Sequence, residues 1–134
     1  MKKYAVIVAM FVGLMLSSCK TGGLSTAIDV TMTDFQFTPN SFTIPAGREI
    51  TINAVNTGVV EHQFAILNFG ADAGDEFGEE DTQNIYWEVK VPPGQTVALT
   101  FAAPSTPGEY SVVCGVPGHL MAGMVGELTV IAGE

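Results

Sequence analysis

Short stretches in which every second residue is apolar recur along the chain from residue 28 onwards. A β-strand buries alternate side chains on one face, so this period of two predicts strands. The apolar phase changes between Met32 and Phe35, which indicates a bulge or a strand break near Thr33 and Asp34. The predicted inward sets are Ile28/Val30/Met32, Phe35/Phe37, Phe42/Ile44, Ile50/Ile52/Ala54, Phe64/Ile66, Ile85/Trp87/Val89/Val91, Val97/Leu99/Phe101, Tyr110/Val112 and Leu128/Val130.

Turn-forming residues separate these runs, and no helical periodicity competes with them. The segments "TPNS", "IPAG", "NTG", "VPPGQ" and "STPGE" each supply Pro, Gly or Asn where a tight reversal is needed. About eight short strands at this spacing predict an all-β domain over residues 28–134. The expected architecture is an antiparallel Greek-key sandwich or barrel, because a parallel sheet would need intervening helices.

Residues 69–84 depart from this rhythm. The segment "FGADAGDEFGEEDTQN" carries six carboxylates and no basic residue. One interpretation is a solvated loop or a short helix whose charges keep the protein soluble. The other is a docking patch that steers a basic partner such as a cytochrome.

The N-terminus has the features of an export signal. Lys2 and Lys3 precede an apolar run too short for a membrane span, so residues 1–18 are predicted to be a signal peptide. The run ends in "LSSC", which resembles the lipobox of bacterial lipoproteins and implies lipidation of Cys19. A simple signal peptide followed by a chance cysteine is the alternative. Residues 19–27 then form a lipidated, flexible tether, and the protein is expected in the cell envelope, anchored to a membrane.

Processing at Cys19 changes both the charge and the thiol content. Loss of Lys2 and Lys3 from the five basic residues leaves three against fourteen acidic ones, a formal charge of −11. Nucleic-acid binding is therefore not expected. Cys114 becomes the only free thiol. Because it cannot form an internal disulfide in an oxidising compartment, it points to a bound metal.

The strand alternation directs two possible metal ligands into the interior. His62 shares a face with Phe64 and Ile66, and Cys114 shares a face with Tyr110 and Val112. Each stands at the end of its strand, so both can meet at one end of the sandwich, where the loop "GVPGHLMAG" can bring His119 and Met124. One thiolate, two imidazoles and a thioether suit Cu(I) and Cu(II) alike. Zinc is the rival metal, but its sites do not need methionine.

Two segments resemble the blue copper proteins of the plastocyanin and azurin type, the cupredoxins. The segment "VVCGVPGHLMAGMVGELTV" has the C-x4-H-x4-M spacing of their C-terminal ligand loop, and "VNTGVVEHQFAI" is similar to the segment with their first histidine. The resemblance implies that His62, Cys114 and His119 are equatorial ligands and that Met124 is axial. Met121 is the competing methionine.

The resemblance also assigns roles around the ligands. Backbone N–H groups of Gln63 and Val116 are expected to donate to the Cys114 sulfur. Gln63 stands where related proteins often have an asparagine that ties the ligand loops together. His119 is expected at the protein surface, within an apolar docking rim. The residues of that rim would be Val116, Pro117, Leu120 and Met121.

These features predict a one-electron carrier with one copper ion per chain, and no enzyme. The expected partners are a cytochrome or a membrane oxidoreductase complex, and the protein is expected to be a monomer. A copper-handling lipoprotein for delivery or storage is the alternative, and a structural lipoprotein without metal is a third possibility. The binuclear copper domain of terminal oxidases is excluded, since it needs a second cysteine in the ligand loop.

Overall fold

The computed structural model describes residues 24–133. The predicted signal peptide (1–18) and Cys19 lie outside these residues, and the tether is described only from residue 24. Nine strands and one 3₁₀ helix are present in this part of the chain, and this helix is too short to span a membrane. They are β1 (Ala27–Thr33), β2 (Gln36–Thr38), β3 (Ser41–Pro45), β4 (Glu49–Asn56), β5 (His62–Leu67), the 3₁₀ helix Glu79–Asn84, β6 (Ile85–Val91), β7 (Thr96–Ala102), β8 (Gly108–Val113) and β9 (Val125–Ile131).

The strands form two sheets that pack as a sandwich, which confirms the predicted all-β fold. The first sheet has the order β2-β1-β4-β7 and the second the order β3-β9-β8-β5-β6. Two pairs differ from the antiparallel prediction, because β1 is parallel to β4 and β3 is parallel to β9. Parallel neighbours need a long connection, and the chain supplies one by crossing to the second sheet as β3 before it returns as β4.

A two-residue turn explains the change of apolar phase after Met32. Strands β1 and β2 form a hairpin in which Thr33 pairs with Gln36, so Asp34 and Phe35 alone make the reversal. The predicted strand break is therefore confirmed. Phe35, expected in the core with Phe37, is 45% exposed, because it belongs to the turn and not to a strand.

The apolar core lies between the two sheets. The predicted inward residues of β1, β3, β4, β5, β8 and β9 are all buried there. Leu99 is an exception and is 46% exposed, since β7 is an edge strand that the second sheet does not fully cover. Trp87 of β6 stacks on Phe101 of β7 with ring centroids 4.4 Å apart. This contact joins the sheet edges on that side.

A second, smaller cluster lies on the outer face of the five-stranded sheet. Both faces of β5 are buried: His62, Phe64 and Ile66 face the core, while Ala65 and Leu67 face outward. Residues 69–84 cover this outer face and contribute buried Ala73 and half-buried Phe77 to the cluster. The segment is a loop that ends in the 3₁₀ helix, and buried Asp81 accepts a hydrogen bond from the Gly78 N–H at 2.8 Å.

The buried side chain of Asn56 shapes the connection that leads into β5. Its Nδ2 donates to the carbonyls of Val60 and Val91, both at 2.8 Å, and its Oδ1 accepts the Gly58 N–H at 2.8 Å. An asparagine can satisfy backbone donors and acceptors at the same time, here three groups on two segments. It thereby fixes the path of residues 57–61, the last residues before His62.

Removal of this amide should destabilise the fold. The change Asn56→Ala leaves the Val91 carbonyl buried without that donor, so we expect a loss of about 2–3 kcal/mol in the free energy of unfolding. Asn53→Ala is the matched control on the same strand. Its amide bonds only the exposed Asp29 carboxylate, and we expect a loss below about 1 kcal/mol. Urea denaturation of the metal-free proteins measures both, and equal losses would contradict the role of Asn56.

Candidate metal centre

Two neighbouring antiparallel strands carry the first two candidate ligands. His62 is the first residue of β5, and Cys114 directly follows β8. The strands pair with Ala65 opposite Val113 and Ile66 opposite Val112, so the start of β5 meets the end of β8. Both side chains are fully buried. The alternation therefore placed these two residues correctly, on the inner face at one end of the sandwich.

The loop from Cys114 to Met124 is closed by backbone hydrogen bonds between the ligand residues themselves. The Cys114 N–H donates to the Met124 carbonyl at 3.2 Å, and the Met124 N–H donates to the His119 carbonyl at 3.0 Å. Gly118 and Gly123 have φ values of 82° and 91°, which glycine adopts without steric cost. Each precedes a candidate ligand. The C-x4-H-x4-M spacing thus matches two tight reversals, each of which turns the next side chain inward.

Three ligand atoms converge at one point. His62 Nδ1 and His119 Nδ1 are 3.2 Å apart, and Cys114 Sγ is 3.4 Å from His119 Nδ1. All three atoms lie within 4.8 Å of one another, and all three residues are buried. Metal–nitrogen and metal–sulfur bonds are about 2.0–2.3 Å long, so atoms at these separations can bind the same ion.

Met124 supplies the fourth candidate donor. It is fully buried in the same core cluster as Cys114, and its backbone bonds join it to both Cys114 and His119. Met121, the competing methionine, is 66% exposed. Of the two methionines, only Met124 is therefore buried with the other candidate ligands. The complete donor set of one thiolate, two imidazoles and one thioether is that of a type 1 copper site.

Burial and hydrogen bonding act in opposite directions on the thiol. Burial raises the pKa of Cys114, while hydrogen bonds from the backbone of Gln63 and Val116 lower it. The Gln63 N–H lies 3.3 Å from Sγ. The predicted Gln63 donor is thus present, while burial remains the larger effect and leaves the pKa of the thiol raised. Because the backbone hydrogen bonds favour the thiolate, they also favour metal binding, which requires loss of the thiol proton.

The environment keeps the second histidine neutral. Burial and the neighbouring His62 lower the pKa of His119, with a smaller opposing effect from Asp34. A neutral imidazole has a lone pair available for a metal, whereas a protonated one does not. His119 is therefore ready to act as a ligand at neutral pH. It is only 7% exposed, less than the resemblance implied.

The predicted docking rim is only partly at the surface. Pro117 and Met121 are exposed, and Val116 is half-buried. Leu120 is 7% exposed, so its assignment to the rim was wrong. Its side chain packs into the outer cluster with Leu67. That assignment came from the resemblance, which does not show where each side chain of the loop points, and after the turn at Gly118 the side chain of Leu120 lies away from solvent.

Gln63 touches the ligand loop in place of the asparagine of related proteins. A Cβ added to Gly115 would lie 2.4 Å from Gln63 Oε1, so the amide packs directly against the glycine after the thiol. Its Nε2 contacts the Glu88 carboxylate. Strand β5 and the ligand loop therefore meet through this side chain, at a place where only glycine leaves room for it.

The turn between β1 and β2 reaches both histidines, a contact that sequence reasoning missed. Asp34 Oδ1 lies 3.3 Å from His62 Nε2. The Phe35 ring meets the His119 ring edge-on, with centroids 4.9 Å apart at 86°. The only signal in the sequence was the change of apolar phase at Thr33. It indicated a turn, but not that the turn contacts the two histidines across the sandwich.

Two relatives match this region of the chain. Auracyanin-B of Chloroflexus aurantiacus is 30% identical over 110 residues, which cover 70% of this chain. The copper-resistant cuproprotein CopI of Rubrivivax gelatinosus is 29% identical over 108 residues, which cover 77% of it. The matched regions span 46% and 65% of those two proteins. Only part of each relative is therefore matched.

Solved structures share the fold and most of their length with this chain. Dithionite-reduced auracyanin of Roseiflexus castenholzii superimposes with a TM-score of 0.70 at 30% identity, covering 81% of this chain and 99% of its own. Auracyanin A of Chloroflexus aurantiacus, described as a "blue" copper protein, has a TM-score of 0.64 at 27% identity, covering 78% and 98%.

The sequence model of the cupredoxin-like domain matches residues 6–130. This range includes all four candidate ligands. The matched region, the two-sheet sandwich and the four donors at its end agree with one another. The chain therefore belongs to the family of cupredoxin-like domains.

Proposed function

We propose that this protein is a one-electron carrier with a single type 1 copper site. The observation that carries the proposal is the convergence of His62, Cys114 and His119, whose buried ligand atoms lie within 4.8 Å of one another. Met124 is buried in the same core cluster as Cys114. When bound, copper supplies a Cu(II)/Cu(I) couple, and a mixed set of sulfur and nitrogen donors suits both states.

The arrangement favours electron transfer over catalysis. Metal sites that process substrates keep a coordination position open, whereas here four protein side chains are available for one ion. The ligands stand on two paired strands and on a loop closed by its own hydrogen bonds. Because this scaffold restrains the ligands, a change of oxidation state needs little rearrangement. We therefore propose a carrier and not an enzyme.

The surface around the ligand loop supports docking to a redox partner. Phe35, Pro117 and Met121 are exposed near His119 and form what we call the apolar rim. Small apolar patches of this kind suit brief encounters. The acidic segment lies beside it, since Phe77 packs near Gly115. Its exposed carboxylates are Asp72, Asp75, Glu76, Glu79 and Glu80.

We propose a basic cytochrome or the exposed part of a membrane oxidoreductase complex as the partner. Electrostatic steering by the acidic segment would raise the association rate. We further propose that the protein acts as a monomer in the bacterial cell envelope, anchored by lipid at Cys19. The lipobox-like "LSSC" and the polar residues that follow it support this location.

Copper delivery or storage is the second candidate function. It is favoured by the similarity to CopI, a copper-resistant cuproprotein. The buried thiolate argues against it, because a site held by cysteine and two histidines restrains the ion rather than exchanging it readily. The spectrum and the potential of the copper-loaded protein distinguish the two functions.

Copper should give this protein an intense visible colour. One equivalent of Cu(II) is expected to produce a strong thiolate-to-copper charge-transfer band and an electron-spin spectrum with small copper hyperfine splitting. Cys114→Ser should abolish the band, because the thiolate is its source. Absorption and electron-spin spectroscopy during a copper titration test this. A colourless stoichiometric Cu(II) form of the wild type would contradict the carrier function.

The two methionines of the ligand loop should behave differently. Met124→Leu is expected to raise the reduction potential, since loss of the axial thioether removes electron density from Cu(II). Met121→Leu should leave the potential and the spectrum unchanged, because that side chain is exposed. Both replacements conserve volume. Protein-film voltammetry measures the potentials, and the opposite pattern would assign the axial position to Met121.

Neutralisation of the acidic segment should slow association with a basic cytochrome. The triple change Asp75→Asn, Glu79→Gln and Glu80→Gln is expected to lower the second-order rate constant about tenfold at low ionic strength and to flatten its salt dependence. The control variant carries Asp29→Asn, Glu49→Gln and Glu109→Gln, which remove three exposed carboxylates elsewhere on the protein. Stopped-flow kinetics compare them. Equal losses in both triple variants would show that net charge alone matters.

A further inference from the structure

The turn Asp34–Phe35 places a carboxylate against the far side of a metal ligand. His62 directs Nδ1 toward His119 Nδ1 at 3.2 Å and Nε2 toward Asp34 Oδ1 at 3.3 Å. An imidazole nitrogen that binds a metal cannot carry a proton, so the proton of neutral His62 must reside on Nε2. In that tautomer the ring donates a hydrogen bond to Asp34.

The surrounding loop leaves space for this carboxylate. Asp34 Oδ1 also lies 3.2 Å from the Val59 N–H, which donates to it. A Cβ added to Gly58 would lie 2.3 Å from Asp34 Oδ1 and 2.9 Å from His62 Nε2. Gly58 is held by the Asn56 side chain. The backbone at Gly58 therefore lies so close to the carboxylate that any side chain at this position would collide with it.

The turn adopts a backbone conformation that is costly for its residues. Phe35 has a φ of 70° and is the only non-glycine residue with positive φ within residues 24–133. This region is unfavourable for a bulky residue, and such strain tends to persist where surrounding contacts have a functional role. Here those contacts are the two histidines. The same two-residue turn holds Asp34 at His62 and the Phe35 ring at His119.

The Asp34 carboxylate also contributes charge. Its contact with His62 is the only pairing of acidic and basic side chains within 4 Å among the described residues, and the carboxylate is 38% exposed. No lysine or arginine compensates it there. A negative charge beside a ligand stabilises the more positive state of a metal more than the less positive one.

We propose that Asp34 is a positioning residue for the copper centre, in which its carboxylate fixes the Nε2–H tautomer of His62 and favours Cu(II) over Cu(I). The inference rests on the copper site of the proposed function. A carboxylate that accepts a hydrogen bond from a metal-bound histidine fixes the ring and raises its basicity. Asp34 comes from the other sheet, so it also couples the position of His62 to the closure of the sandwich.

The first test separates charge from shape. Asp34→Asn retains the size and an acceptor oxygen but removes the charge. We expect its Cu(II)/Cu(I) equilibrium to shift about tenfold toward Cu(I), equivalent to a potential about 59 mV higher. Asp29→Asn is the control, because Asp29 is an exposed carboxylate on β1, the strand that leads into the turn, and it contacts Asn53 and no ligand. We expect it to shift the equilibrium less than about twofold.

The second test removes the hydrogen bond. Asp34→Ala is expected to weaken Cu(II) affinity about tenfold, measured by competition with a chelator. Nitrogen-15 NMR of the metal-free protein should show His62 as the Nε2–H tautomer in the wild type and a mixture of tautomers in Asp34→Ala. Should Asp34→Ala fail to fold, Asp34→Asn and Asp29→Asn still decide the matter through their potentials.

The possible outcomes are distinct. Equal potentials for Asp34→Asn and Asp29→Asn would overturn the role of Asp34 even though the wild type forms a blue copper site. A wild type without such a site would overturn the proposed function instead. The NMR comparison would still report whether Asp34 controls the tautomer of His62, and an unchanged tautomer in Asp34→Ala would refute the positioning role on its own.

Discussion

The pairing of β5 with β8 is the contact on which the rest of the structure depends. It places a histidine and a cysteine at the same end of an apolar core, where both are fully buried. Buried polar groups without partners are costly, and within residues 24–133 no buried side-chain nitrogen or oxygen lacks a hydrogen-bond partner. The ligand atoms satisfy this requirement largely through one another and through the Gln63 N–H.

The two faces of β5 connect the metal centre to the surface. Residues on the inner face include His62, while those on the outer face pack under residues 69–84. Leu120 joins the same outer cluster from the ligand loop. The acidic segment and the ligand loop are therefore parts of one packed unit. Asp81 differs from its acidic neighbours, because it is buried and bonds the Gly78 N–H.

Contacts from the opposite sheet complete the centre. The hairpin of β1 and β2 brings Asp34 to His62 and Phe35 to His119, and Asn56 holds the backbone that passes between them. Residues from both sheets thus surround the three candidate ligands. A scaffold of this kind restrains the ligands from several directions.

The sequence by itself determined most of the strands and inner faces and directed His62 and Cys114 into the interior, but it left Met121 as a competitor of Met124. Strand alternation has a fixed period, so it directs His62 and Cys114 inward whatever the topology. Only the tertiary structure decided the parallel pairs, the burial of Leu120, the exposure of Leu99 and Phe35, and the contact of Asp34 with His62. These depend on which strands become edges and which segments meet across the sandwich. Such contacts join residues far apart in the chain, and no local periodicity records them.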